Sequence, residues 1–96
     1  MSDDDITTLK VRVEGFVQGV GFRDFLVMAA QQNNLHGWVR NMSDGAVEAL
    51  VSGTTKAVEA FVSAATRGPQ GARVTAVDLD VSEPPPHKGF QRWESA

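Results

Sequence analysis

The chain has 96 residues, 42% hydrophobic and 22% charged, the balance of one small globular domain rather than of two domains or a disordered segment. Its formal net charge of −3 argues against a broad basic surface for nucleic acid, because affinity for a phosphate backbone needs clustered Lys and Arg. The absence of cysteine excludes a disulfide framework and thiolate metal sites, and His36 and His87 lie too far apart in sequence to give metal-ligand spacing, so neither metal nor cofactor is expected.

The start, MSDDDITT, lacks the basic-then-apolar order of a signal peptide, and no apolar run reaches membrane-spanning length. The expectation is a cytoplasmic protein, one domain over residues 1–96, with residues 1–7 as a flexible acidic tail. From Leu9 to Glu14 apolar and polar residues alternate: Leu9, Val11 and Val13 face one way, Lys10, Arg12 and Glu14 the other. That period of two predicts a strand with one buried face. The stretch GFVQGVGFR follows, with three glycines and a closing arginine.

From Phe22 the period becomes that of a helix, with Phe22, Phe25, Leu26, Ala29 and Ala30 as its apolar stripe and Asn33-Asn34 suited to its C-terminal end. Leu35 to Asn41 reads as extended, Ser43-Asp44-Gly45 as a turn, and Ala46 to Ser52 as a second extended run, together a hairpin. Thr54 or Thr55 can cap a second helix striped by Val58, Phe61, Val62 and Ala65, which Arg67-Gly68-Pro69 ends. A further strand runs from about Arg73 to Ser82, with Val77, Leu79 and Val81 opposed by Asp78, Asp80 and Ser82. Glu83-Pro84-Pro85-Pro86 is a stiff connector, and Phe90 to Trp93 suits a short edge strand. The order βαββαβ plus a tail strand is that of an α+β, ferredoxin-like sandwich: an antiparallel sheet with two helices on one face.

In that fold the glycine loop leaves the first strand and enters the first helix. The amides of Gly19 to Phe22 then lie at a helix N-terminus, without intrahelical acceptors and inside the positive end of the dipole. Glycine lets successive N–H groups turn toward one point, and Arg23 in the first turn can close over the same anion with a bidentate fork. A tight turn beside a surface arginine fits the same spacing, and the residue grammar leaves both readings open. The loop has no Walker lysine followed by Ser or Thr, and Gly19-Val20-Gly21 lacks the third glycine of a dinucleotide fingerprint. Asn41 closes the second strand, which in this topology runs parallel to the first, so Asn41 and the loop fall on the same edge of the sheet.

GFVQGVGFR and GWVRNMSDGAVE resemble the two signature motifs of the acylphosphatase family, and the likeness runs from about Leu9 to Trp93. It implies a metal-independent hydrolase that converts acyl phosphates to a carboxylate and inorganic phosphate, with phosphate also acting as an inhibitor. Carried over by position, Arg23 matches the phosphate-binding arginine and Asn41 the asparagine that orients the attacking water. Gln18, Gly19, Val20, Gly21 and Phe22 match the phosphate-cradling loop. Three positions depart from the family pattern: Met42 where threonine is common, Trp93 where tyrosine usually closes the chain, and Asp24 directly after Arg23. Asp24 is expected on a different helix face from Arg23, with little influence on it.

The remaining singled-out residues take plainer roles: Trp38 packs the core or hairpin, Asp44-Gly45 makes the turn, Arg40 and Arg92 lie on the sheet surface, where either can attract anionic substrates, and His36 and His87 are surface residues. The chain is expected to act as a monomer without nucleic-acid or membrane partners. Competing readings are an anion-binding regulatory domain, the leading module of a larger carbamoyl-transfer protein, and an RNA-binding ferredoxin-like domain. The last lacks both the aromatic RNP pattern and the charge.

Overall fold

A computed structural model describes residues 5–96. Seven elements follow in order: β1 (Ile6–Phe16), α1 (Phe22–Gln32), β2 (His36–Asn41), β3 (Val47–Thr54), α2 (Thr55–Arg67), β4 (Arg73–Val81) and β5 (Phe90–Arg92). The sheet runs β4-β1-β3-β2-β5, so β3 lies between β1 and β2 and is antiparallel to both. The ferredoxin-like expectation holds, with one addition. The tail strand β5 pairs with β2 in parallel, Gly37 opposite Phe90 and Val39 opposite Arg92, which makes the sheet mixed.

Both helices pack on one face. Val11 and Val13 of β1, Val39 of β2, and Val47, Ala49 and Val51 of β3 meet Phe22, Leu26, Ala29 and Ala30 of α1 and Val58, Phe61, Ala64 and Ala65 of α2. Each of these is the inward residue of its alternation or stripe, and burial of a Val, Leu or Phe side chain contributes about 1.5–3 kcal/mol. Thr54 is the cap of α2, its hydroxyl accepting from the Ala57 amide at 3.2 Å, and Gly68 closes the helix at φ 69°. The opposite face carries Trp38 and Leu50, with Thr8 and Ser52 joined by a hydroxyl hydrogen bond of 2.7 Å. Trp38 therefore packs beneath the sheet rather than in the helix-covered core, stacked against Trp93 with ring centroids 4.5 Å apart.

Several residues differ from expectation. Ile6 and Thr7 are already strand, paired with Thr54 and Gly53, while the rest of the expected tail, residues 1–4, lies outside the described residues. The apolar side of β4 is left partly open: as an edge strand it keeps Leu79 47% and Val81 89% exposed, and Leu79 borders an open groove against Val58 and Val62 of α2. His87 is half-buried, with both ring nitrogens shielded and without hydrogen-bond partners, whereas His36 is exposed and its Nδ1 accepts from the Gly89 amide. Among the described residues no helix is long and apolar enough to cross a membrane.

One local irregularity aims the chain at the site. The β1–β4 ladder shifts register between Glu14 and Gly15, a bulge at which Gly15 adopts φ 126°. A Cβ added to Gly15 would stand 2.1 Å from the Arg73 carbonyl oxygen, so neither the dihedral nor the space admits a side chain. Gly15→Ala is expected to lower unfolding free energy by about 2 kcal/mol, the scale of one strained backbone position. Urea denaturation of the two proteins measures it.

Candidate active site

The glycine loop and the end of β2 converge as the topology requires. β1 and β2 flank β3 and share its antiparallel pairing, so their C-terminal ends emerge on the same edge. Between them lies a pocket of about 170 Å³ lined by Val17, Gly19, Gly21, Phe22, Arg23, Asp24, Asn41 and Arg92.

The loop is shaped by two glycines in left-handed backbone, Gly19 at φ 77° and Gly21 at φ 75°. Gly21 is also the N-cap residue of α1, and no side chain caps that helix. Its first intrahelical bond runs from the Phe25 amide to the Gly21 carbonyl at 3.0 Å. The amides of Phe22, Arg23 and Asp24 are thus the orphan donors of a helix start, and the positive end of the dipole adds to them. A helix opening onto a pocket in this way has the chemistry to hold an anion.

The loop does not hold itself up. The Gln18 side-chain amide donates to the Met42 carbonyl at 2.8 Å and the Ala46 carbonyl at 2.9 Å, bridging to the β2–β3 turn. That turn is stiffened by Met42 N to Ala46 O at 2.8 Å and by the Asp44 carboxylate accepting from the Ala46 amide at 3.1 Å. Asp44 also pairs with Arg12 on β1. The Arg12 hydrogen bond first, and the Ala46 amide second, hold the Asp44 carboxyl below its ordinary range. So Asp44 does more than make the turn, and the Gln18 side chain is a brace directed away from the pocket. Val20 likewise does not line it.

Arg23 projects from the first turn of α1, and its Nη1 donates to the Trp93 carbonyl at 2.9 Å. One bond fixes the side chain and leaves other N–H groups of the fork for a ligand. Trp93 is itself tied to β2 by its amide, which donates to the Val39 carbonyl at 2.8 Å. Asn41 is half-buried at the end of β2 and lines the pocket, and its side-chain amide has no hydrogen bond to protein among the described residues.

Two residues stand in the pocket where the sequence reading did not place them. Asp24 lines the same cavity as Arg23 instead of facing away from it, and its Oδ1 accepts from Arg92 Nη1 at 2.7 Å. Arg92 reaches the pocket because β5 pairs in parallel with β2, which brings it beside Val39. No local pattern around Arg92 signals this. The hint was Asp24 itself, an acid directly after Arg23 in the sequence. Arg40, by contrast, keeps to the sheet surface, paired with Glu48 at 2.9 Å and lying 4.9 Å over the Trp38 ring. Among the described residues no cluster of His, Asp or Glu is arranged to hold a metal ion.

The acylphosphatase family model matches residues 9–92. The chain belongs to the acylphosphatase family. It is 50% identical to an acylphosphatase of Acidiphilium cryptum over 81% of this chain and 86% of that one. The acylphosphatase of Bacillus subtilis has the same fold, with a TM-score of 0.87 and 37% identity over 93% of this chain and 99% of that chain. Full-length HypF, solved in a phosphate- and nucleotide-bound form, also contains a similar region: TM-score 0.88 and 32% identity over 95% of this chain but 12% of HypF. The family establishes the reaction class, hydrolysis of an acid anhydride. Gln18→Ala removes both braces of the loop, each a neutral hydrogen bond of about 1 kcal/mol. It is expected to weaken inhibition by inorganic phosphate several-fold, read from inhibition constants, while thermal unfolding shifts only modestly.

Proposed function

We propose that this acylphosphatase works as an electrostatic clamp with a positioned water. The phosphoryl group of an acyl phosphate sits at the uncapped start of α1, held by the backbone of Gly19 to Phe22 and by the Arg23 guanidinium, with Gln18 bracing the loop from outside. Asn41 holds a water in line with the phosphorus. The observation that carries this reading is that orphan helix amides, Arg23 and Asn41 all border one small pocket.

The chemistry suits these groups. Water attacks phosphorus, the bond from phosphorus to the acyl oxygen breaks, and the carboxylate departs with the electron pair. A carboxylate is a weak base, so no general acid is required. The transition state is loose, and the main requirement is to stabilise charge on the equatorial oxygens and to align the two apical ones. Fixed amides and a planar guanidinium do the first without reorganising. The Asn41 amide, with one acceptor oxygen and two N–H donors, does the second. Asn41 is too weak a base to take the proton, which passes to a phosphate oxygen of the substrate.

A cytoplasmic, monomeric enzyme acting on small acyl phosphates, without nucleic acid or membrane partners, is the setting that fits the acidic chain. Benzoyl phosphate hydrolysis provides the direct assay. Activity should survive a chelator and be inhibited competitively by inorganic phosphate, and a folded protein without hydrolysis would point instead to an anion-binding domain. Arg23→Lys should lose about 10²–10³-fold in kcat, the scale of one transition-state donor, since a point charge cannot replace the fork. Asn41→Ala should lower kcat while the phosphate inhibition constant stays nearly unchanged. Full turnover by that variant would remove Asn41 from the water-orienting role.

A further inference from the structure

Arg92 and Asp24 border the pocket beside the clamp, yet the clamp does not need them. Their ion pair is a single hydrogen bond of 2.7 Å, Arg92 Nη1 to Asp24 Oδ1, and not a two-point fork. It is also open to water, with side-chain exposures of 49% for Arg92 and 69% for Asp24. An exposed one-point pair is weakly held, and among the described residues the other N–H groups of the Arg92 fork are unengaged.

With the phosphoryl group at the start of α1, the acyl portion of a substrate extends through the rest of this pocket, which Asp24 and Arg92 also line. Besides Arg23, Asp24 and Arg92 are the charged side chains that line this cavity. Asp24 alone would repel an anionic acyl group. Paired with Arg92 it makes the rim nearly neutral, and it holds the Arg92 guanidinium in place with donors to spare.

We infer that Arg92, steadied by Asp24, binds a second anionic group on the acyl portion, so that the favoured substrates are acyl phosphates of acids bearing another carboxylate or phosphate. The inference rests on the acylphosphatase clamp proposed above and adds the substrate class. Arg92 donates to the substrate's distal anion through its free N–H groups and either keeps or exchanges its bond to Asp24. Asp24 tempers that attraction, which lets uncharged acyl groups through as well.

The test compares benzoyl phosphate with benzoyl phosphates carrying a carboxylate at the meta or para position, in the full chain, reading the ratio of kcat/KM for carboxylated over plain substrate. Taking the ratio within each variant cancels differences in folded fraction and in the phosphoryl clamp itself. Arg92→Gln is expected to lower the ratio about fivefold, mainly through KM, and Asp24→Asn to raise it about threefold, the scale of one exposed charge pair. Both effects should shrink at high salt. A ratio unchanged by Arg92→Gln overturns the inference, including the case in which both substrates slow equally, which would assign Arg92 to the phosphoryl group. Failure of the unmodified folded protein to hydrolyse benzoyl phosphate at all would sink the clamp and the inference with it.

Discussion

The two antiparallel ladders on β3 are the constraint from which the site follows. Because β1 and β2 are each paired to the same central strand, their ends are fixed on one edge of the sheet, though they are separated in sequence by the whole of α1. A slip of one residue in either ladder would turn Val11, Val39 or Val51 out of the core, so packing locks the register. The same lock sets the separation of the glycine loop from Asn41. The hydrophobic core thus sets the geometry of a polar site in which apolar side chains have little part.

That arrangement also explains how an acidic chain can serve an anionic substrate. The positive potential is local and is made largely of backbone: orphan amides at the start of α1, shaped by Gly19 and Gly21, with the Arg23 side chain lining the same pocket. Surface acids such as Asp78 and Asp80 lie on the far edge strand, and in water their field is screened within about 10 Å at moderate salt. A site built from fixed dipoles needs few charges, and those it has can be held by neighbours. Arg23 is held by a carbonyl, Arg92 by Asp24 and Arg12 by Asp44, so the arginines near the site have defined partners.

The elements with a clear period were legible in sequence: β1, both helices and their caps, and the β2–β3 hairpin. So was the pairing of the glycine loop with Asn41, because each sits at the end of a strand whose place in the topology follows from element order. Contacts made across long sequence separations by residues with no local signature were not legible. Arg92 belongs to a three-residue strand, and its reach into the pocket depends on parallel pairing of β5 with β2. Gln18 reads as part of the cradle in the motif, but its amide finds two carbonyls of a turn more than twenty residues away. Leu79 and Val81 carry the alternation of a half-buried strand, and alternation alone cannot say that on this edge strand they stay largely exposed.

The tryptophan stack has a further consequence. The chain contains two tryptophans and no tyrosine, and both indoles belong to the one pair formed by Trp38 and Trp93. Near-ultraviolet absorption and emission from this protein therefore report mainly on a single place, where the last strand docks on β2. That junction closes a loop of more than fifty residues, the kind of distant contact that is slow to form because chain entropy opposes it. It is also where the Trp93 carbonyl meets Arg23. The protein carries a built-in optical probe of the junction that ties Arg23 to the last strand.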